Sequence, residues 1–257
     1  MQIFLQRNLL LLSVTAALII AGCGEKNDSS IPTPNATVDL AIGATISGTI
    51  KLDGACPQDP SISSSGNEGC HQGMVTEQHW VVNNGNVTNA FIYIKDGLGN
   101  KIYAAPVAPV VLDQRGCIYR PHVMGLVLGQ TLKVQNSDPT LHNVHLVSMT
   151  DGESFNRPFP PGMQPFEQKF TSTGIMKSIK CDVHGWMNSY VGVLPHPFFA
   201  VSDTSGHYEI RGIPPGNYTL ELWHESSKGA EQAIVEDQKI TVGAKDTKTV
   251  DFKITAH

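Results

Sequence analysis

The sequence has few charged residues and no excess of positive charge. Asp, Glu, Lys and Arg together make up 16% of its 257 residues, and the net charge is −5 with a pI near 6.0. A chain without a basic face is a poor partner for a phosphate backbone, so no nucleic-acid partner is expected. The sequence also lacks any long stretch in which apolar residues recur every 3.6 positions, which excludes a helical bundle.

Glycine and proline are abundant instead, at 24 and 16 residues, and short stretches alternate apolar with polar side chains. The alternating apolar positions are Ile46, Gly48, Ile50 and Leu52, then Ala90, Ile92 and Ile94, and later Val250, Phe252 and Ile254. A period of two residues between turn residues is typical of strands, so we expect an all-β fold of sandwiches. The length supports a core that forms without a metal, so a metal here would be functional.

The N-terminus predicts a secretion signal. Arg7 precedes an unbroken apolar run from Leu9 to Ile20, which ends in Ala21-Gly22-Cys23. This ending resembles the cleavage box of bacterial lipoproteins, in which the cysteine receives the lipid. The resemblance implies a lipoprotein signal peptide over residues 1–23 and a lipid on Cys23. An ordinary signal peptide and an uncleaved anchor are the alternatives.

The segment after Cys23 is polar and contains two prolines, as expected of a flexible tether over residues 24–41. Gly24 stands where an aspartate would retain such a lipoprotein in the inner membrane. The resemblance therefore implies a cell-envelope protein that is held by its lipid at the outer membrane and faces the periplasm.

Five cysteines in an exported chain must be assigned, because an oxidising compartment pairs those that can meet. With Cys23 assigned to lipid and Cys181 to the metal site described next, Cys56, Cys70 and Cys117 remain. One disulfide and one free thiol is the simplest outcome. A Cys70–Cys117 pair is preferred to the shorter Cys56–Cys70 loop, but the sequence leaves the choice open.

Two separated segments carry residue types that bind a soft metal. The loop Cys181-Asp182-Val183-His184-Gly185-Trp186-Met187 offers a thiol, an imidazole and a thioether, and an earlier segment, GQTLKVQN over 129–136, is followed by HNVH over 142–145. Thiolate, imidazole and thioether together are the ligands of a type 1 copper site, because Cu(I) favours soft sulfur while Cu(II) accepts imidazole. Zinc is the main alternative metal, but zinc sites rarely include a thioether.

Both segments resemble the amicyanin branch of the cupredoxins, and the resemblance covers roughly residues 113–195. In that family C-x-x-H-x-x-M supplies three copper ligands and the first histidine of H-N-V-H supplies the fourth. The resemblance implies one type 1 copper, with Asn143 joining the two loops by hydrogen bonds and His145 not binding. The implied ligands are His142, Cys181, His184 and Met187.

This chain departs from the family pattern in places. Gly174 lies one residue further from Cys181 than the pattern allows, so we expect a β-bulge between them. Trp186 stands beside His184, an expected exposed ligand, where it would cover the metal or form a docking surface. His122 and His196 have no partner at ligand spacing and are expected to be solvated loop residues. The roles of Cys70-His71 and Trp223-His224-Glu225 are left open.

The segment FAVSDTSGHYEIRGIPPGNYTLELWHE, over 199–225, resembles the carboxypeptidase-regulatory or transthyretin-like sandwich. Its turn residues and inward apolar residues between Asp203 and Leu220 predict a hairpin over 203–220. The same family opens with strands like ATISGTI and NAFIYIKDG, which here precede the metal-binding block. We therefore expect a cupredoxin domain, 105–196, inserted into a sandwich built from 42–104 and 197–256. Three consecutive modules are the alternative.

Two absences narrow the expected function. No H-x-H pair occurs, such as builds the second copper centre of the multicopper oxidases, and the ligand loop has one cysteine where a dinuclear copper centre has two. The resemblance therefore implies an electron carrier that is not an enzyme, with a redox protein of the envelope as its partner. A copper-delivery lipoprotein and an envelope scaffold or adhesion module are the alternatives. The sequence specifies neither donor, acceptor nor oligomeric state.

Overall fold

The computed structural model describes residues 31–64, 67, 69–70, 73–147 and 153–256; Cys23 and the signal segment lie outside them. Every regular element in these ranges is a strand, which confirms the predicted all-β class. None of the described residues belongs to a helix long and apolar enough to cross a membrane.

The strands in chain order are β1 (Ala44–Asp53), β2 (Ser61–Ser63), β3 (Met74–Thr76), β4 (Val82–Asn83), β5 (Asn86–Val87), β6 (Phe91–Asp96), β7 (Val110–Gln114), β8 (Tyr119–Arg120), β9 (Val123–Val127), β10 (Thr131–Asn136), β11 (His142–Val147), β12 (Phe155–Phe159), β13 (Phe166–Lys169), β14 (Gly174–Lys180), β15 (Asn188–Leu194), β16 (Phe199–Val201), β17 (His207–Ile213), β18 (Gly216–Ser226), β19 (Gly229–Val242), β20 (Thr247–Thr249) and β21 (Phe252–Thr255).

Strands from both ends of the chain form what we call the first sandwich. One sheet has the order β17-β1-β5-β4, with β20 and β21 also paired to β1, and the other has the order β16-β6-β18-β19. β1 buries alternate residues, among them Ala44, Ile46 and Ile50, as its sequence pattern predicts. These side chains meet Leu220 and Leu222 of β18 in one hydrophobic core.

The strands between them form the second sandwich. Its sheets have the orders β13-β10-β7-β8 and β12-β11-β14-β15-β9. Leu112, Val134, Phe159 and Ile179 are fully buried in a separate core between these sheets. The three alternating stretches of the sequence all contribute to the first core, while the predicted domain boundaries at 105 and 196 stay a prediction.

The predicted hairpin over 203–220 is wrong. β17 pairs with β1, whereas β18 pairs with β6 and β19 in the facing sheet. The connection between them contains Pro214 and Pro215, which have no N–H to donate to a ladder and so favour a crossing between sheets. The long hairpin in this part of the chain is β18 with β19 instead.

The two sandwiches share a third apolar cluster, which we call the seam. It contains Phe91, Tyr93 and Trp223 of the first sandwich and Val123, Met176, Tyr190 and Leu194 of the second. Two glycines allow the close approach: a Cβ on Gly125 would lie 2.3 Å from the Phe199 ring, and one on Gly192 would lie 2.7 Å from the Phe91 ring. The sandwiches are therefore packed directly on each other.

Part of the predicted tether is bound to the first sandwich. The Asn35 N–H donates to the Ile102 carbonyl at 2.9 Å, and Ala36 forms a β-bridge with Tyr103. Ala36 also packs against the first core. The docked part of the chain thus begins before residue 42, because these residues have backbone partners that the sequence did not reveal.

Candidate metal centre

The loop between β14 and β15 carries three of the predicted ligands. The two strands pair up to Lys180 opposite Asn188, so residues 181–187 close the hairpin. The Met187 N–H donates to the His184 carbonyl at 2.9 Å, and the Cys181 N–H donates to the Met187 carbonyl at 3.1 Å. Cys181, His184 and Met187 are all at least 98% buried. The backbone therefore fixes the three residues relative to one another.

His142 approaches this loop from the neighbouring strand. It is the first residue of β11, which pairs with β14, and it is fully buried. Its Nδ1 atom lies 3.0 Å from Nδ1 of His184, which in turn lies 3.8 Å from Sγ of Cys181. His145 is instead half-exposed, with Nδ1 3.0 Å from Asp182 Oδ1. The structure thus brings the first histidine of HNVH to the buried side chains of Cys181 and His184, whereas the second contacts only the exposed Asp182 of the loop.

Asn143 joins the two ligand-bearing segments by side-chain hydrogen bonds. Its Oδ1 accepts the Asp182 N–H at 2.6 Å, and its Nδ2 donates to Asp182 Oδ2 at 3.0 Å. The Tyr119 hydroxyl donates to the carbonyls of Asn143 at 2.5 Å and Lys180 at 3.1 Å, which links the same two strands. The segments are therefore held in register by the protein alone.

Asp138 is a site residue that the sequence reasoning missed. Its Oδ2 lies 3.0 Å from Nε2 of His142, and its carboxylate accepts the backbone N–H groups of Gly116 at 2.7 Å and Cys117 at 2.8 Å. A carboxylate can only accept here, so Nε2 carries the proton and Nδ1, 3.0 Å from Nδ1 of His184, turns its lone pair towards that residue. In the sequence, the only hint of this role is that Asp138 lies four residues before His142. The hint is weak, because the backbone partners at 116 and 117 are brought close to Asp138 only by the fold.

The electrostatics keep both histidines able to bind a metal. Burial lowers the pKa of His142, although its hydrogen bond to Asp138 opposes this. Burial also lowers the pKa of His184, and the nearby His142 adds to the effect. Both imidazoles are therefore neutral at physiological pH, with lone pairs available to a metal.

The expectation that His184 is exposed is wrong, because it is only 2% exposed. The structure joins Cys70 to Cys117 in a disulfide, and Sγ of Cys70 lies 3.5 Å from Nε2 of His184. The Trp186 ring lies 5.2 Å from the His184 ring, and its indole N–H donates to the Cys117 carbonyl at 2.8 Å. The disulfide that covers His184 comes from segments far away in the sequence, which is why the loop motif did not reveal that His184 is buried.

The predicted bulge before Cys181 is present. The β14–β15 register shifts between Gly174 and Lys177, and Met176 has a positive φ of 53°. Met176 and Lys177 are consequently both buried, which regular alternation would not allow. The extra residue sends Met176 to the seam while keeping Cys181 at the site.

The donors present fit copper better than zinc. The potential ligand atoms of His142, Cys181 and His184 all lie within 4.8 Å of one another. Two other groups at this spacing depend on Cys70 or Cys117, whose sulfurs are in the disulfide and offer no thiolate. Among the described residues of these groups, only Cys181 is a free thiol, and the same loop adds the buried Met187. Two imidazoles, a thiolate and a thioether are a donor set for copper.

Two histidines expected to be solvated are buried. His122 is 8% exposed and His196 is 5% exposed. His196 packs beside Phe198, with ring centroids 5.8 Å apart, and burial lowers its pKa to about 4. His122 lies at the seam, in contact with Glu225. The sequence pattern missed this because burial of both residues depends on contacts with the other sandwich or with distant loops.

A search of protein families and of characterised proteins finds no match to this sequence. Among solved structures, the chain is similar to a Cu-containing nitrite reductase from Thermus scotoductus SA-01, with 22% identity, a TM-score of 0.32, and coverage of 37% of this chain and 24% of the reductase. It is also similar to a reduced Cu(I) form of an amicyanin variant, with 24% identity over 35% of this chain and 91% of the amicyanin and a TM-score of 0.31. A purple cupredoxin from Nitrosopumilus maritimus is 23% identical over 33% of this chain and 98% of its own, with a TM-score of 0.28. This chain thus spans about a quarter of the length of the nitrite reductase.

Proposed function

We propose that this chain is a type 1 copper protein that carries single electrons in the cell envelope. The observation that carries the proposal is the buried convergence of two neutral imidazoles and one free thiol. Nδ1 of His184 lies 3.0 Å from Nδ1 of His142 and 3.8 Å from Sγ of Cys181. Copper held there, with Met187 as a further sulfur donor, would supply a one-electron couple between Cu(I) and Cu(II).

The surrounding residues support such a role by holding the ligands still. Asp138 fixes the His142 ring, and Asn143 ties the His142 strand to the Cys181 loop. Ligands held by the protein rather than by the metal move little when the charge of a bound ion changes. A small movement favours rapid electron exchange over tight capture of one oxidation state.

The alternative of a copper-delivery protein fits the geometry less well. Transfer of copper to an acceptor protein requires that an incoming ligand reach the ion. His142, Cys181, His184 and Met187 are each at most 2% exposed, and the Cys70–Cys117 disulfide lies against His184. We also propose that the chain carries electrons without acting on a substrate, because four protein donors would fill the coordination positions of the copper.

The membrane location is part of the proposal and rests on the sequence. A lipid on Cys23 would hold the protein at the outer membrane, with the domains in the periplasm. Because Asn35 is already bonded to the first sandwich, the docked part of the chain begins no later than that residue. The redox partner is therefore expected at the same membrane.

Voltammetry of the copper-loaded, full-length chain distinguishes the carrier from the delivery protein. The carrier predicts a reversible one-electron couple in the wild-type chain and none in Cys181→Ala. A Cys56→Ala variant is the matched control, because that cysteine is free and lies in the first sandwich. Copper that passes to a Cu(I)-binding acceptor, without any accessible couple, would establish the delivery protein instead.

A further inference from the structure

The Cys70–Cys117 disulfide lies against the second ring nitrogen of His184. Nδ1 of His184 lies 3.0 Å from Nδ1 of His142 and 3.8 Å from Sγ of Cys181, whereas its Nε2 lies 3.5 Å from Sγ of Cys70. The donor atoms of Cys70, Cys117 and His184 all lie within 4.8 Å of one another, and the three residues are buried. One imidazole therefore has a group of sulfur donors beside each of its two nitrogens.

The redox state of one bond decides whether this second group binds a metal. While the disulfide is intact, neither sulfur is a thiolate, and the thiolate is the form that binds metals. Reduction turns the same side chains into the soft donors that Cu(I) prefers. The Cα atoms of Cys70 and Cys117 are 5.5 Å apart, so rotation of the two side chains lets the freed sulfurs separate around an ion without a movement of the backbone.

The charge of Asp138 favours a bound cation over free thiolates at this position. Its carboxylate accepts the backbone N–H of Cys117 at 2.8 Å, and one of its oxygens lies within 4.8 Å of Sγ of Cys117 and of a His142 nitrogen. Asp138 is buried, so its charge is poorly screened. A carboxylate repels a free thiolate but attracts a metal ion, and the reduced cysteines would therefore lose their protons as the ion binds.

We propose that the Cys70–Cys117 disulfide is a redox-controlled metal site, in which reduction creates a Cu(I) site from the two sulfurs and Nε2 of His184. The reductant is a dithiol, of the class that thiol–disulfide oxidoreductases carry. One of its thiolates attacks a disulfide sulfur to form a mixed disulfide, and its second thiol then displaces that sulfur. The dithiol thus loses two electrons and two protons, which leave the chain with two thiols. The site does not require Cys181 to bind copper.

The two sulfur groups compete for His184. Its Nδ1 faces Cys181 and its Nε2 faces Cys70, but a neutral imidazole has only one lone pair to offer. An ion held by the reduced cysteines therefore takes His184 away from the Cys181 site. Reduction of the disulfide would stop electron transfer by the chain and leave its copper held as Cu(I); this consequence rests on the proposed electron carrier, whereas the thiolate site does not.

The test compares Cu(I) binding by the oxidised and the reduced forms of the full-length Cys181→Ala chain, whose first site has lost its thiolate. The chain is reduced with a phosphine, separated from it without oxygen, and titrated with Cu(I) against a chromophoric chelator. The reduced chain is expected to take about one Cu(I) ion from the chelator and the oxidised chain none. Adding Cys56→Ala, which removes a free cysteine of the first sandwich, is the control and should change neither result.

A triple variant provides the matched comparison. Cys181→Ala combined with Cys70→Ala and Cys117→Ala also lacks the disulfide but has no thiolate to offer at this position, so treatment with the phosphine should give it no Cu(I) binding. Equal binding by the oxidised and reduced Cys181→Ala chains, or binding that survives in the triple variant, would overturn the proposal.

X-ray absorption by the Cu(I)-loaded wild-type chain covers the case in which a variant does not fold. With about one ion per chain, the oxidised form should show one short copper–sulfur distance, from Cys181, and the reduced form two, from Cys70 and Cys117. An unchanged sulfur count would overturn the proposal, and so would a loss of β-structure on reduction in circular dichroism, because the donors meet only in the folded chain. The visible absorption of the Cu(II) form tests the Cys181 site separately, so failure of either site is distinguishable from failure of the other.

Discussion

Oδ2 of Asp138 lies 3.0 Å from Nε2 of His142, and the same carboxylate accepts the backbone N–H of Cys117. One buried side chain therefore orients a proposed metal ligand and anchors the loop that carries the disulfide. The charge of Asp138 also acts on whatever His142 binds, because burial leaves it poorly screened.

Replacing Asp138 with asparagine should raise the reduction potential of the bound copper. Loss of the negative charge favours Cu(I) over Cu(II); a tenfold change in their affinity ratio corresponds to about 59 mV for one electron. Asn also cannot accept all three hydrogen bonds, so stability should fall by about 1–3 kcal/mol. Voltammetry and chemical denaturation measure the two effects. Asp237→Asn, an exposed carboxylate on β19, is the control, and an unchanged potential in Asp138→Asn would contradict the account.

Removing the disulfide should both destabilise the fold and uncover His184. Cys70 and Cys117 are 47 positions apart, so the loop-entropy relation gives a loss of about 4 kcal/mol for the double alanine variant. Chemical denaturation measures the loss. Copper should also pass to a chelator faster, because Sγ of Cys70 no longer lies against the imidazole. Cys56→Ala should match the wild type, and an unchanged release rate in the double variant would show that the disulfide is not a cover.

An alanine at Gly192 should weaken the packing of the two sandwiches. Its Cβ would lie 2.7 Å from the Phe91 ring and 2.8 Å from Cε of Met176, so the seam must shift. Overpacking of this kind costs about 1–3 kcal/mol. Gly73→Ala is a matched control because a Cβ there meets nothing within 4 Å. Equal denaturation midpoints for the two variants would mean that the seam is looser than described.

Protonation of His196 should lower the free energy of unfolding of the chain in mild acid. Burial lowers its pKa from 6.5 to about 4, so the unfolded chain binds a proton more readily than the folded one. The contribution of neutral His196 to the free energy of unfolding is complete above pH 6.5 and declines as the pH falls. It is lost by about pH 4, a change on the order of 3 kcal/mol. His196→Asn should flatten this part of the metal-free stability profile, whereas exposed His207→Asn should not. Parallel profiles of stability against pH for the wild type and His196→Asn would contradict this prediction.

The sequence predicted the parts of the site that lie within short segments, and the family resemblance predicted that His142 and Asn143 join the Cys181 loop. The loop from Cys181 to Met187 was readable because hairpin geometry brings its side chains together, and the bulge near Met176 followed from one extra residue. The strand alternation of β1 was readable for the same local reason, whereas β6 buries four successive residues because its second face meets the seam. Such features depend on residues close together in the chain.

Most contacts between distant segments were not predictable, although the Cys70–Cys117 pairing itself was preferred from the sequence. The Cys70–Cys117 disulfide buries His184 across 114 positions of sequence, and His122 meets Glu225 across 103. The hairpin over 203–220 was predicted wrongly because turn residues indicate a reversal of the chain but not which sheet the next strand joins. The role of Asp138 was hidden because its backbone donors are fixed by the fold.

The visible and EPR spectra of the copper-loaded chain test the central proposal most directly. Thiolate coordination by Cys181 in the site with His142 and His184 predicts an intense visible absorption from thiolate-to-Cu(II) charge transfer. This band should disappear in Cys181→Ala and survive in His145→Asn, whose ring is paired with Asp182 instead. A colourless Cu(II) form of the wild-type chain, or a band that persists without Cys181, would contradict the proposed type 1 site.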